Sequence, residues 1–146
     1  MKIESPAFLD NASIPQKYTC DGEDVNPPLR IIDVPSGAQS LVLIVDDPDA
    51  PRGDFVHWTL WNISPDAREI SEKSIPEGTQ QGITDFGSEG YGGPCPHAGT
   101  HRYQFKLYAL DTMLDLSQKA TKKDIEQAMQ NHILGKSMLI GRYART

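Results

Sequence analysis

Runs of apolar residues bounded by glycine and proline predict four β-strands. The segments are 40–47 ("SLVLIVDD"), 55–63 ("FVHWTLWNI"), 101–110 ("HRYQFKLYAL") and 137–143 ("SMLIGRY"). The first two are largely apolar on both faces, which is typical of buried strands. Between 64 and 100, glycine and proline are so frequent that only short segments fit between them.

A period of two along a strand predicts which side chains share a face. In 55–63, one predicted face carries His57, Thr59, Trp61 and Ile63. The other carries Val56, Trp58 and Leu60. In 101–110, a largely apolar face carries His101, Tyr103, Phe105, Leu107 and Ala109. Polar residues fill the opposite face, which predicts a half-buried strand.

One helix is predicted over 121–133. Thr121 can cap its first turn with Asp124 three residues later, and Gly135 ends it. Its apolar stripe consists of Ile125, Ala128, Met129, His132 and Ile133. These elements predict one mainly β domain over residues 1–146, a sandwich or barrel with the helix packed outside.

The charge and length of the chain exclude several classes of function. The 146-residue chain has a net charge of −6 and no cluster of Lys and Arg, which argues against nucleic-acid binding. An anionic membrane surface would repel it, and no segment has the apolar length of a signal peptide or a membrane span. We therefore expect a cytoplasmic protein without stable membrane insertion. The two cysteines, Cys20 and Cys95, lack the spacing of a zinc site. Cysteines of cytoplasmic proteins are usually reduced, so we expect two free thiols.

Polar side chains lie at the end of one predicted strand, inside the next and at the start of a third. Asp47 and Asp49 belong to "DDPDAP" (46–51), His57 lies in the second strand, and His101 and Tyr103 begin the third. One histidine on an apolar face is usually a core residue. Two histidines on neighbouring strands could instead converge on one cavity. The aspartates could orient a histidine or meet an ammonium or hydroxyl of a ligand, although Asp49 fits an Asx-type turn around Pro48 equally well.

The loop "YGGPCPHAGTHRY" (91–103) has the composition of a rigid wall. Proline fixes φ, and glycine lets the backbone approach a ligand closely. Backbone N–H groups at Gly92 and Gly93, histidine side chains and the Tyr103 hydroxyl are hydrogen-bond donors. Such a set suits phosphate or carboxylate. We expect bulk at Gly93 to damage ligand binding more than stability.

Several motifs in order resemble the phosphatidylethanolamine-binding proteins, the group that includes the Raf kinase inhibitor proteins. They are "DPDAP" followed by "HW", then "YGGPCPHAGTHRYQFKLYAL". The segment "YTCDGEDVNPPL" (18–29) and the closing "GRY" (141–143) resemble the bacterial and archaeal branch.

The resemblance implies an antiparallel β-sandwich with one or two peripheral helices and a small anion pocket near one end of the sheets. The pocket residues that it implies are Asp47, His57, His101 and Tyr103, with Pro48, Asp49, Gly93 and Pro94 at the rim. It also places the motifs beside Cys20 and Cys95 near this pocket, which predicts that the two cysteines can pair under oxidation.

The chain departs from the family pattern at three places. His97 stands where a second proline is common, the 52–54 loop is shorter than in eukaryotic members, and no C-terminal helix follows Arg145. The last two set it apart from the eukaryotic branch, to which kinase regulation and membrane-lipid binding are attributed.

Three classes of function remain open from the sequence. The first is a binding protein for a small anionic ligand, with no cofactor and no bound metal. The alternative is a hydrolase that uses the same His/Asp pocket, either by acid/base catalysis or with a divalent metal. The third is a protein that inhibits a kinase or protease through its surface. Bacterial relatives resemble homodimers, so a homodimer is expected here.

Overall fold

The computed structural model describes residues 1–145. Its strands, in chain order, are β1 (Lys2–Glu4), β2 (Ala12–Ser13), β3 (Leu29–Ile32), β4 (Ser40–Asp47), β5 (Phe55–Ile63), β6 (Glu69–Ile70), β7 (Gln80–Gln81), β8 (His101–Leu110) and β9 (Ile133–Tyr143). A short 3-10 helix covers Gln16–Tyr18, and the α-helix α1 covers Lys122–Met129. All four predicted strands are present, and the turn-rich 64–100 segment holds only two-residue strands.

Two sheets enclose the main core. The larger sheet has the strand order β2-β9-β8-β4-β5-β7, and the smaller has the order β1-β3-β6. The central strands β5, β4, β8 and β9 pair antiparallel. Between the sheets pack side chains such as Ile31, Leu43, Trp58 and Phe105. The predicted mainly β sandwich is therefore confirmed.

The helix α1 covers the outer face of the larger sheet. Ile125 and Met129 pack there in a second apolar cluster with Val42, Ile44 and Trp61. Because this cluster lies on the opposite face from the main core, β4 is buried on both sides, as its unbroken apolar run predicts.

The predicted end of the helix is wrong. The capping box of Thr121 and Asp124 forms as predicted, but α1 ends at Met129. Asn131 then adopts a φ of 68°, in the left-handed region that stops a helix. Ile133 is already paired with Leu110 in β9, so the apolar pattern beyond 131 belongs to a strand.

The predicted faces of β5 are also wrong at both of its ends. Val45 of β4 pairs with Trp58 while Asp46 pairs with Val56, so His57 is an extra residue in β5. Such a bulge reverses the alternation that follows it. It turns His57 toward the main-core side, away from Trp61.

A second shift in β5 lies next to Asn62, which has a φ of 55°. It returns Ile63 to the main core beside Leu60, although the alternation predicts Ile63 on the face of Trp61. A strict period of two cannot anticipate either irregularity.

An ion-pair network joins α1 to the loop after β4. The buried Asp46 carboxylate lies 2.9 Å from Lys106 Nζ and 3.1 Å from Lys122 Nζ. Lys122 also lies 2.6 Å from the carboxylate of Asp54. Burial raises the pKa of Asp46, while the two lysines oppose the rise. The 50–54 loop is thereby held against the helix.

Candidate functional site

A half-open cavity of about 610 Å³ lies at one end of the sandwich. Its polar side chains include Asp47, His57, His101 and Tyr103, from β4, β5 and β8. The 50–54 loop, the Phe86 turn and the 95–97 segment complete its walls, which are mostly apolar. Two consecutive strands and a third that is distant in sequence therefore bring four of the predicted site residues together.

Asp47 and His101 form a direct pair. Asp47 Oδ2 lies 2.6 Å from His101 Nδ1, and the other carboxylate oxygen accepts the backbone N–H of Asp49 at 2.8 Å. A carboxylate accepts hydrogen bonds, so His101 carries a proton on Nδ1. The pair fixes the orientation of the ring and leaves Nε2 for the cavity.

His57 is held differently, by the backbone of the glycine-rich loop. Its Nδ1 donates to the carbonyl oxygen of Gly92 at 2.7 Å, and the Gly92 N–H donates to the His57 carbonyl at 3.0 Å. The rings of Phe55, Phe86 and Tyr103 meet the imidazole edge to face at 5.1, 5.3 and 5.2 Å. Burial in this aromatic setting lowers the pKa of His57, because it disfavours the charged ring.

Tyr103 forms part of the cavity floor. Its side chain is 1% exposed, and its ring stacks against that of His101 at a centroid distance of 6.4 Å. Burial and the nearby Asp47 carboxylate raise the pKa of the Tyr103 hydroxyl well above its usual value. The phenol therefore stays protonated and remains a hydrogen-bond donor over the ordinary pH range.

The carboxylate of Asp49 makes its contacts outside this cavity. Its carboxylate accepts two hydrogen bonds from the guanidinium of Arg102, at 2.9 and 2.8 Å, and one from the Arg102 backbone N–H at 3.0 Å. These contacts lower the pKa of Asp49 to about 2. Asp49 thus joins the loop after β4 to the start of β8.

Replacing Arg102 by glutamine is expected to raise the pKa of Asp49 from about 2 toward its ordinary value of 3.8. The charge-assisted hydrogen bonds that favour the ionised carboxyl would be lost. NMR titration of the Asp49 side-chain carboxyl measures this change. An unshifted titration in the variant would show that Arg102 is not the cause of the low pKa.

Gly93 and Pro94 also lie outside the cavity lining. The Gly93 N–H donates to Asp24 Oδ1 at 2.8 Å, and the Pro94 carbonyl accepts the Cys20 N–H at 3.1 Å. A side chain at Gly93 would collide with the Tyr18 carbonyl oxygen and the Asp24 carboxylate. Gly93 is needed for packing against the 18–24 segment, and its N–H, like that of Gly92, is already occupied.

Cys20 and Cys95 are joined by a disulfide, with Cα atoms 5.5 Å apart. Their predicted proximity is confirmed, and the expectation of free thiols is wrong. The Tyr91 hydroxyl donates to the Tyr18 carbonyl at 2.7 Å in the same region. The cysteine bridge therefore adds a covalent link where two loops already share hydrogen bonds, a proximity that composition does not reveal.

Residues that the sequence did not single out complete the cavity wall. Phe55 and Phe86 cover His57, their rings 4.9 Å apart. Asp85 reaches β5, where its carboxylate accepts the Val56 N–H at 2.7 Å. Phe55 could have been found from the sequence, because it is an aromatic residue directly before "VHW". Phe86 had none, because it comes from a turn that only the tertiary structure brings over the imidazole.

Residues 1–145 contain no cluster of three or more His, Cys, Asp or Glu side chains that could hold a metal ion. Within the same residues, no helix combines the length and apolar character needed to cross a membrane.

Comparison with known proteins gives a consistent result. Residues 4–144 match the family model "Phosphatidylethanolamine-binding protein". A UPF0098 protein of Methanothermobacter thermautotrophicus is 49% identical over 150 residues, which cover 99% of each chain. The crystal structure of a putative phosphatidylethanolamine-binding protein homologue from Chlamydia trachomatis aligns with a TM-score of 0.96 and 39% identity, covering 99% of this chain and 97% of the other.

E. coli YbcL, described as a member of the mammalian family, aligns with a TM-score of 0.92 at 25% identity, over 99% of this chain and 98% of its own. The family match spans nearly the whole chain, and the structural neighbours share the complete fold. The chain therefore belongs to the phosphatidylethanolamine-binding protein family.

Proposed function

We propose that the cavity binds a small oxyanion, either inorganic phosphate or the phosphate group of a phosphomonoester. The observation that carries the proposal is the Asp47–His101 pair, which leaves His101 Nε2 for the cavity. With both ring nitrogens protonated, His101 donates from Nδ1 to Asp47 and can donate from Nε2 to an oxyanion, in a charge-assisted hydrogen bond. The buried Tyr103 hydroxyl is a second donor in this cavity.

The shape of the cavity supports a ligand larger than phosphate alone. A volume of about 610 Å³ is many times the roughly 30 Å³ of one water molecule. Asp47, His57, His101 and Tyr103 supply polar groups, while Phe55 and Phe86 supply apolar wall. A phosphomonoester with an organic substituent would use both surfaces. The family description suggests phosphoethanolamine as a probe.

Replacing His101 by alanine is expected to weaken the binding of phosphoethanolamine by about ten-fold or more, because a hydrogen bond to a charged group contributes roughly 1.5–3 kcal/mol. Calorimetric titration of the wild type and the variant with phosphoethanolamine measures this change in affinity.

The matched control is His132→Ala. His132 is bonded to Asp111 on the surface, 2.7 Å away, and does not line the cavity. This variant is expected to bind like the wild type. If a folded His101→Ala protein binds phosphoethanolamine as tightly as the wild type, the cavity is not the anion site. The same conclusion follows if His132→Ala weakens binding as much as His101→Ala does.

The same Asp47–His101 contact favours acid/base hydrolysis as a second candidate function. A histidine oriented by a carboxylate through Nδ1 is a suitable general base at Nε2. The test is turnover of p-nitrophenyl phosphate by the purified protein. A binding protein would leave this substrate intact.

A further inference from the structure

The two cavity histidines differ in the group that holds them. His101 donates from Nδ1 to a carboxylate, whereas His57 donates to the carbonyl oxygen of Gly92. A carbonyl oxygen only accepts, so the proton of a neutral His57 ring is on Nδ1. Its Nε2 is then a lone-pair acceptor, not a donor.

The acceptor atom opens on the cavity. Within residues 1–145, His57 Nε2 has no hydrogen-bond partner, yet it is not among the polar atoms that are sealed from solvent. His57 lines the cavity and is only 4% exposed. A ligand that fills the cavity must therefore satisfy this atom or leave it without a partner.

Burial keeps the ring neutral near pH 7. It lowers the pKa of His57 below 6.5, although nearby carboxylates and the Gly92 carbonyl oppose this. The titratable groups around the ring come from β4, β8 and the loops, and they are Asp47, His101, Tyr103, Asp24 and Asp85. None of them makes a hydrogen bond to Nε2 within residues 1–145.

We propose that the cavity selects oxyanions that carry a proton, because His57 Nε2 accepts a hydrogen bond from a P–O–H group. This inference rests on the proposed function and names its substrate class. Hydrogen phosphate and monoanionic phosphomonoesters have such a group. Sulfate and phosphodiesters have none, so their oxygen lone pairs would face the lone pair of His57. A site built around a hydrogen bond rejects analogues that cannot make it.

The selection distinguishes two sources of the same phosphate chemistry. The phosphate of an intact phospholipid headgroup is a diester, which lacks a P–O–H group. A free phosphomonoester has a second pKa of about 6, so a large fraction carries the proton near that pH. The cavity is therefore suited to free phosphate and phosphomonoesters over lipid headgroups.

The first experiment compares inorganic phosphate with sodium sulfate by calorimetry on the full chain at about pH 7.5. Phosphate is expected to bind at least about ten-fold more tightly, because sulfate requires His57 to take up a proton one unit or more above its pKa. Phosphoethanolamine is likewise expected to bind more tightly than glycerophosphoethanolamine, its diester, at about pH 7, where His57 is neutral and about a tenth of the monoester still carries its proton.

The second experiment repeats the phosphate and sulfate titrations on His57→Gln. A glutamine amide can present either N–H or C=O, so the preference is expected to fall to within about three-fold. His132→Gln, the same change on the surface, is expected to retain the wild-type preference. A folded His57→Gln protein with an unchanged preference would overturn the inference.

The wild-type titrations test the selection by His57 even when His57→Gln does not fold. Equal binding of phosphate and sulfate, or tighter binding of sulfate, would overturn the selection by His57 and leave the anion site in place. Binding of neither anion would overturn the proposed function, and the inference with it.

Discussion

Replacing both Cys20 and Cys95 by serine is expected to lower the free energy of unfolding by about 4 kcal/mol. The two residues are 75 positions apart in sequence, so the bond closes a long loop in the unfolded chain. The loss of unfolded-state entropy increases with loop length, from about 3 kcal/mol for 15 residues to about 4.7 kcal/mol for 100. This is the largest effect on stability that we expect from a change near the site.

Urea unfolding of the oxidised wild type, the reduced wild type and the double serine variant measures this effect. The reduced wild type is expected to match the variant, and reductant is expected to leave the variant unchanged. If the free energies of unfolding of the oxidised wild type and the variant differ by less than about 1 kcal/mol, the prediction is contradicted, because closing a loop of this length is expected to contribute about 4 kcal/mol. The slope with urea shows whether the unfolded state becomes less compact.

Replacing Gly93 by alanine is expected to destabilise the protein by about 3 kcal/mol, at the upper end of the usual cost of overpacking. The new Cβ would lie 3.0 Å from Thr19 Cα and closer still to the Tyr18 carbonyl oxygen and the Asp24 carboxylate. Two of these three atoms belong to the backbone of the 18–24 segment, so no side-chain rotation removes the clash. The sequence-based expectation that bulk at Gly93 damages binding more than stability stays a prediction, and these steric contacts favour the opposite order.

Gly99→Ala is the matched control in the same loop. Gly99 has a φ of 70° and no atom within 4 Å of the position that a Cβ would take, so alanine there meets strain but no collision. The left-handed conformation costs about 1 kcal/mol in this variant. Chemical denaturation of the two alanine variants compares the cost of the collision at Gly93 with the cost of the left-handed backbone at Gly99. A Gly93 variant no less stable than the Gly99 variant would show that the 18–24 segment moves aside easily.

Part of the site was predictable because short motifs carry it. Asp47, His57, His101 and Tyr103 stand at strand ends in recognisable motifs, and all four line the cavity. Their ligand-binding role stays a prediction. Asp49 has a similar position in the sequence, but its carboxylate pairs with Arg102 instead. The positions of polar residues near strand ends do not show which of them line the cavity and which pair elsewhere, because Arg102, the partner of Asp49, is 53 residues away in sequence.

The chemical state of the histidines was not predictable from the sequence. His57 and His101 look equivalent as histidines in apolar strands. One meets a carbonyl and three aromatic rings, whereas the other meets a carboxylate. These partners hold the proton on Nδ1 of both rings, and burial among the aromatic rings lowers the pKa of His57. They come from loops whose positions depend on the packing of the whole sandwich.

The sequence by itself determined the elements whose signal is local. Unbroken apolar runs specify β4 and β5, and the Thr121 capping box specifies where α1 begins. Only the tertiary structure decided the bulge at His57, the end of the helix at Met129 and the Cys20–Cys95 bond. Each of these depends on pairing between residues that are distant along the chain, and hydrophobic periodicity contains no information on such pairing.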